Sequence, residues 1–270
     1  SIAIFQFANN IMYVPVGVIG ISFAVAAFPT LAAAVAEGNK KALPLHLSVT
    51  IRQILFFILP LTVIILLLRA QIVRVAFGTG AFDWTATVTT ANLLACFTLS
   101  LFAQCITPLL LRVFFALHDT RTPLLVSLFT AILMIIGSIF LKPMFGLLGL
   151  SFSFSFASIM ELVVLAVLLR ARIGAFRDTA FLHTLYKLSV AALVCALVVQ
   201  GLKGPMAAVV DMNRFWGIFT QGAITATAGL LVYLGIALVL KVEEPRAVAR
   251  SIRHRFWRMR RVPEEVQERL

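Results

Sequence analysis

The chain alternates long apolar runs with short polar islands, and the lengths of the runs decide what they are. Apolar stretches cover roughly residues 2–36, 47–68, 86–117, 124–141, 147–169, 185–202 and 215–240. An α-helix rises about 1.5 Å per residue, so roughly 20 apolar residues cross the hydrocarbon of a bilayer. The pattern therefore predicts an all-α, polytopic membrane protein with seven transmembrane helices. The islands between them are "EGNKKALPLH" at 37–46, "RAQIVRVAFGTGAFDW" at 69–84, "HDTRTP" at 118–123, "KPMFG" at 142–146, "RARIGAFRD" at 170–178 and "KGPMAAVVDMN" at 203–213. The second island reads as an interfacial segment with a glycine turn at Gly78 and Gly80, its rings Phe77, Phe82 and Trp84 at headgroup level.

Composition removes the soluble alternative. The 270 residues are 61% hydrophobic and 13% charged, with a mean hydropathy of +1.02. A soluble domain carries about twice that share of charge. The net charge of +12 is unevenly placed, and this places the ends. Of the 23 Lys and Arg, only Arg69, Arg74, Lys142, Lys203 and Arg214 fall on the second, fourth and sixth connections. The other 18 share the opposite side, nine of them from Lys241 onward. The excess of cations marks the cytoplasm. Ser1 is then expected outside and the C-terminus inside. The tail at 241–270, with "RHRFWRMRR" at 253–261, is expected to lie as a basic amphipathic segment on anionic membrane lipid rather than on nucleic acid. The apolar start at Ser1, with no basic leader, reads as an internal cut in a longer protein.

Little in the chain suggests covalent chemistry. No P-loop and no metal-ligand spacing occurs, no catalytic set stands out, and no cofactor is implied. Cys96, Cys105 and Cys195 sit among apolar neighbours and read as small hydrophobes. Energy for any transport would come from the membrane potential or an ion gradient. Polar residues inside the runs are the candidates for substrate contact. Asn9 and Asn10 either bond to a neighbouring helix or line a cavity. Gln104, Thr107 and Pro108 form a polar, kinked patch. Glu161 must be protonated, paired or facing water.

The "HDTRTP" island closes the third run. Asp119 is suited to cap the next helix, Thr122 leaves the helical region before Pro123, and Arg112 and Arg121 mark the inner face. The longer string "LLRVFFALHDTRTP" at 110–123 resembles the motif that ends the tenth helix of the bacterial MurJ/MviN lipid II flippases. Other stretches are similar in the same order: "YVPVGVIGISFAVAAFPTLAAAVAEGN" at 13–39 resembles the eighth helix, "IVRVAFGTGAF" at 72–82 the external element after the ninth, and "GLLGLSFSFSFAS" at 146–158 the entry to the twelfth.

The resemblance covers about residues 1–172 and implies one lobe of a two-lobe transporter of the MOP superfamily, carrying helices eight to fourteen. Residues 1–172 would be the second lobe, 173–240 two additional helices, and 241–270 the cytoplasmic tail. The first lobe would lie in the same or a separate chain. The resemblance further implies a polyprenyl-pyrophosphate-linked saccharide as substrate, its tail in a groove that the last two helices help form. It marks Arg112, Asp119, Thr120, Arg121, Thr122 and Pro123 as a cytoplasmic gate motif, and Phe77, Gly78, Gly80 and Phe82 as an external turn. The chain departs from the family at Asn9 and Asn10, where an Asp and an Arg are usual, and at Thr30, where an Arg is usual. Asn offers no guanidinium fork to a pyrophosphate. Two other readings stay open: a flippase or exporter for another polyprenyl-linked saccharide or a related antiporter, and a non-transporting membrane scaffold.

Overall fold

The computed structural model describes residues 2–38, 42–77, 84–174, 178–210 and 214–242. Every element among them is helical. In chain order they are α1 (Ile2–Pro15), a π-helical turn (Val16–Ile21), α2 (Ser22–Ala36), α3 (Ala42–Leu67), α4 (Arg69–Phe77), α5 (Trp84–Thr98), α6 (Leu101–Ala116), α7 (Arg121–Phe145), α8 (Leu147–Ile173), α9 (Asp178–Val209) and α10 (Phe215–Val239). Six stretches are long and apolar enough to cross a membrane, and α5 with α6, bent by 46°, makes a seventh. The protein is thus a multi-pass membrane protein, with its spans in the order the apolar runs set out.

Helix ends are built by local chemistry. His118 follows α6 in the left-handed region at φ 58°. This lets the His118 and Asp119 N–H groups return to the carbonyls of Phe115 and Phe114, each at 3.0 Å, the Schellman arrangement. Lys241 closes α10 in the same way, with Val242 N–H on the Ala237 carbonyl. Pro123 lies in the first turn of α7, where its missing N–H has no helical partner to lose.

Two local expectations are revised. The third span breaks at Leu99–Ser100, while Pro108 sits inside the continuous α6. And α3 begins at Ala42, so Arg52, counted above among the cations of the first, third and fifth connections and the tail, stands ten residues inside the second span.

The broken third span forms the middle of the bundle. It contacts the first, second and fifth spans, and Leu93, Leu94, Phe97, Leu101, Cys105 and Leu109 are buried along it. α9 packs on α3, and α10 on α9 and α4. α7 rests mainly on α8, and its outer side carries the exposed Leu124, Leu128, Ile132, Ile135 and Ile139.

The "SFSFSF" stretch shows why a two-residue alternation can be helical. Gly149, Ser153 and Ala157 lie on one face of α8, and Ser151 and Ser155 on another; all five are buried. The first face meets α7 closely: a Cβ on Gly137 would lie 3.0 Å from Ser153 Oγ. The second meets the third span, where Ser155 Oγ donates to the Cys96 carbonyl at 2.8 Å. Small residues on two faces let α8 sit between two neighbours at close range. Phe152 and Phe156 point outward, and Phe154 packs edge-on against Phe97 at 5.3 Å between ring centres, with Phe5 on Phe97 at 5.2 Å.

One bond ties α10 to the second span. Tyr233 is fully buried and its hydroxyl donates to the Phe56 carbonyl at 2.9 Å. Tyr233→Phe keeps the ring and is expected to lower stability by about 1 kcal/mol. Thermal unfolding in detergent checks this, and an unchanged transition refutes the bond's contribution.

Candidate functional site

The first span carries no charged residue before Glu37, yet part of its surface is polar and open. Gln6 and Asn10 stand one turn apart and both are exposed. Gln6 Nε2 donates to Asn10 Oδ1 at 3.3 Å. Tyr13 continues this strip at 52% exposure, and Val14, Val18 and Ile21 extend it as an apolar surface. Gly17 has nothing within 4 Å of where its Cβ would be. Asn9 is half-buried on an adjoining face. Sequence reasoning singled out the two asparagines and missed Gln6. The signal available was the four-residue spacing of Gln6 and Asn10, which places them on one helical face.

The second polar element is in the α7–α8 pair. Ser127 Oγ donates to Glu161 Oε1 at 3.0 Å, and both side chains are half-buried. The carboxylate thus has a hydroxyl partner from the adjacent span. Gln104 and Thr107 lie among the packed helices rather than on the open strip. Gln104 Nε2 donates to Ser100 Oγ at 2.9 Å, and Thr107 is buried.

At one end of the bundle the "HDTRTP" turn is locked to the end of α8. Asp119 Oδ1 accepts from the N–H groups of Arg121 and Thr122, each at 3.0 Å. Its Oδ2 accepts from Thr122 Oγ1 at 2.6 Å. Arg172 closes the set: one guanidinium nitrogen pairs with Asp119 Oδ2, the other donates to Thr122 Oγ1 at 3.0 Å, and the group lies 5.6 Å from the centre of the Phe114 ring. The Thr122 hydroxyl and N–H, and then Arg172, hold the Asp119 carboxyl at about 2, below its ordinary 3.8. Arg112 stacks over Phe28 at 5.8 Å. Thr120 and Arg121 are exposed and Pro123 is buried. Between this turn and the first connection lies a cavity of about 280 Å³, its lining including Gly38, Leu43, Leu117, Arg172 and Ile173. The first, third and fifth connections therefore meet at one end.

At the opposite end α3, α4, α9 and α10 are tied together. Lys203 Nζ donates to the Leu67 carbonyl at 3.0 Å, at the end of α3. Gln221 Nε2 donates to the Lys203 carbonyl at 2.8 Å, and Gln71 Nε2 to Gln221 Oε1 at 3.3 Å. This chain of bonds fastens α9 and α10 to α3 and α4. Arg74 stacks over Trp84 at 5.6 Å, and the Phe7 and Phe77 rings are 4.5 Å apart. Gly78, Gly80 and Phe82 lie outside the described residues, as does the tail from position 243. No group of three or more His, Cys, Asp or Glu that could hold a metal occurs among the described residues.

Comparison with known proteins adds the family context. The family model described as "Lipid II flippase MurJ" matches residues 1–220. A probable lipid II flippase MurJ of Rhizobium tropici is 28% identical over 245 residues, covering 88% of this chain and 44% of that protein. The lipid II flippase MurJ of Thermosipho africanus is 26% identical over 229 residues, covering 85% of this chain and 43% of that protein. The solved structure of a lipid II flippase MurJ in an inward closed conformation superposes with a TM-score of 0.72 at 22% identity, over 88% of this chain and 46% of the other. The chain spans about half the length of the curated relatives it matches.

Proposed function

The chain belongs to the lipid II flippase MurJ family, and from that premise we propose that it forms the C-terminal half of a transporter moving lipid II across the bacterial cytoplasmic membrane. Lipid II is a polyprenyl-pyrophosphate-linked saccharide that feeds peptidoglycan synthesis. The observation that carries this reading is the family match over residues 1–220, on a fold in which alternate connections meet at the same end. The first lobe is supplied by the same or a separate chain. Residues 1–172 act as the second lobe, 173–240 as the additional helix pair, and 241–270 as a tail on anionic lipid.

The end holding the Asp119–Arg172 clasp faces the cytoplasm, because the larger share of Lys and Arg accumulates there. Transport proceeds by alternating access, driven by the membrane potential or an ion gradient. The Gln6–Asn10 strip faces the central cavity. Its amides and the Tyr13 hydroxyl meet uncharged hydrogen-bonding parts of the head group, since the first span brings no cation to the pyrophosphate before Glu37.

The reading is tested by expressing the protein with its first lobe in cells depleted of their own flippase and measuring lipid II on the outer face. Restored translocation and growth are expected; neither, at normal membrane abundance, refutes it. In the same assay Glu161→Gln preserves an oxygen for Ser127 and removes the charge. A several-fold fall in translocation is expected if the carboxylate takes part in coupling. An unchanged rate at equal abundance assigns Glu161 a packing role only.

A further inference from the structure

We propose that the backbone contact between Gly20 and Cys105 is the pivot on which this lobe bends between its two access states. This deepens the alternating-access reading and rests on it. The first span departs from α geometry at Val16–Ile21, directly after Pro15, where the chain runs as a π-helix. A π turn holds a residue more than an α turn and marks a site of helix bending. Ser22 Oγ reaches back to the Gly17 carbonyl at 3.3 Å, within the same turn.

The third span departs from α geometry at Leu99–Ser100, where it bends by 46°. The π turn lies against α6, about one helical turn past that break. A Cβ on Gly20 would stand 2.7 Å from Cys105 Cα and 3.0 Å from its carbonyl oxygen. The helices thus approach closely at this point, with no side chain on Gly20 to hold them apart. Such a contact lets the crossing angle change while the separation stays the same.

The break in the third span is not a consequence of proline. Pro60, Pro108 and Pro143 sit inside helices that run on without a break. The break in the third span is instead served by side chains. Ser100 Oγ donates to the Phe97 carbonyl at 3.0 Å and lies 3.2 Å from Ser155 Oγ, while Ser155 Oγ donates to the Cys96 carbonyl. Gln104 Nε2 donates to Ser100. Hydroxyls rotate to suit their partners, so the bend can change without leaving a bare carbonyl in hydrocarbon.

Either side of the pivot, the halves pair. α1 lies along α5, with Phe5 and Phe97 edge to face at 5.2 Å. α2 lies along α6, with Arg112 over Phe28. The lobe therefore contains two arms, α1 with α5 and α2 with α6, joined where the backbones touch.

The test uses the protein together with its first lobe, spin-labelled at cysteines replacing the exposed Val14 and Thr30, on either side of the π turn. The native cysteines are buried. Sixteen residues of helix separate the labels by about 24 Å, within range of pulsed electron paramagnetic resonance. The distance distribution is recorded with and without lipid II, and flipping is measured separately. A distribution that shifts with lipid II is expected. Gly20→Leu is expected to fix a single distance and to slow flipping several-fold, with Gly20→Ala used where leucine prevents folding. A protein that flips lipid II at an unchanged 14–30 distance overturns the pivot and leaves the transport reading standing. Absence of both flipping and a shift overturns the two together.

Discussion

Asp119→Asn is expected to keep α7 folded at its start and yet to lose most of the transport rate, whereas Asp119→Ala loses both. Asp119 does two jobs with two oxygens. Oδ1 receives the first N–H groups of α7, and asparagine caps a helix about as well as aspartate. Oδ2 holds Arg172, which asparagine cannot do with charge. The two variants therefore separate capping from the tie between the third, fourth and fifth spans. Arg172→Lys is expected to resemble Asp119→Asn, because a single ammonium does not reproduce a fork that reaches Asp119 and Thr122 from different nitrogens.

The same carboxylate sets a pH window. Its folded value of about 2 lies below the ordinary 3.8. Its contribution to stability is complete above the ordinary value and is lost as the pH falls from there through about 2. Acid unfolding of the wild type should steepen in that interval and that of Asp119→Asn should not. Near neutral pH the carboxylate stays ionised and contributes no pH dependence. Equal acid profiles, or full transport by Asp119→Asn, would remove the clasp from the mechanism.

The second large effect is expected at Gly149. A Cβ there would lie 2.4 Å from the Leu141 carbonyl oxygen, 2.5 Å from its carbon and 2.9 Å from Lys142 N. These are backbone atoms of the facing helix and cannot rotate away. Gly149→Ala must spread the turn between α7 and α8, where Gly146 N–H bonds to the Lys142 carbonyl at 2.8 Å. The loss is expected to be about 1–3 kcal/mol, the usual cost of forcing an extra carbon into a packed contact, and Gly149→Val should lose more. Gly204 has nothing within 4 Å of its Cβ position and serves as the control for glycine replacement in a helix. Melting in detergent and the abundance of folded protein report both. Equal stability of Gly149→Ala and wild type would mean that the hairpin is looser than the distances require.

Much of the fold was legible because its signals are short-range. The apolar runs are read within about 20 residues. The cap at Asp119, Thr122 and Pro123 is read within five. The serine–phenylalanine alternation falls inside an apolar run long enough to cross, although its two small-residue faces became clear only against the neighbours on either side. The kink was expected beside Pro108 because proline is the local signal for one. It formed at Leu99–Ser100 because Ser155, from another span, supplies the bond that the Cys96 carbonyl takes there. Gln6 escaped notice for a related reason: an exposed amide stands out only once the rest of its face is seen to be uncovered.

The sequence alone thus determined the class, the count and order of the spans, and which connections share a side, since hydrophobic length, helix capping and charge asymmetry each act within a few turns of chain. Tertiary structure decided the partners. Arg172 lies 53 positions from Asp119, and Gln221 lies 150 from Gln71. Gly20 and Cys105 touch only because the π turn of the first span crosses α6 there. In a lipid setting, close approach and polar ties choose among the ways of packing similar greasy helices, and that choice depends on which surfaces face one another in space.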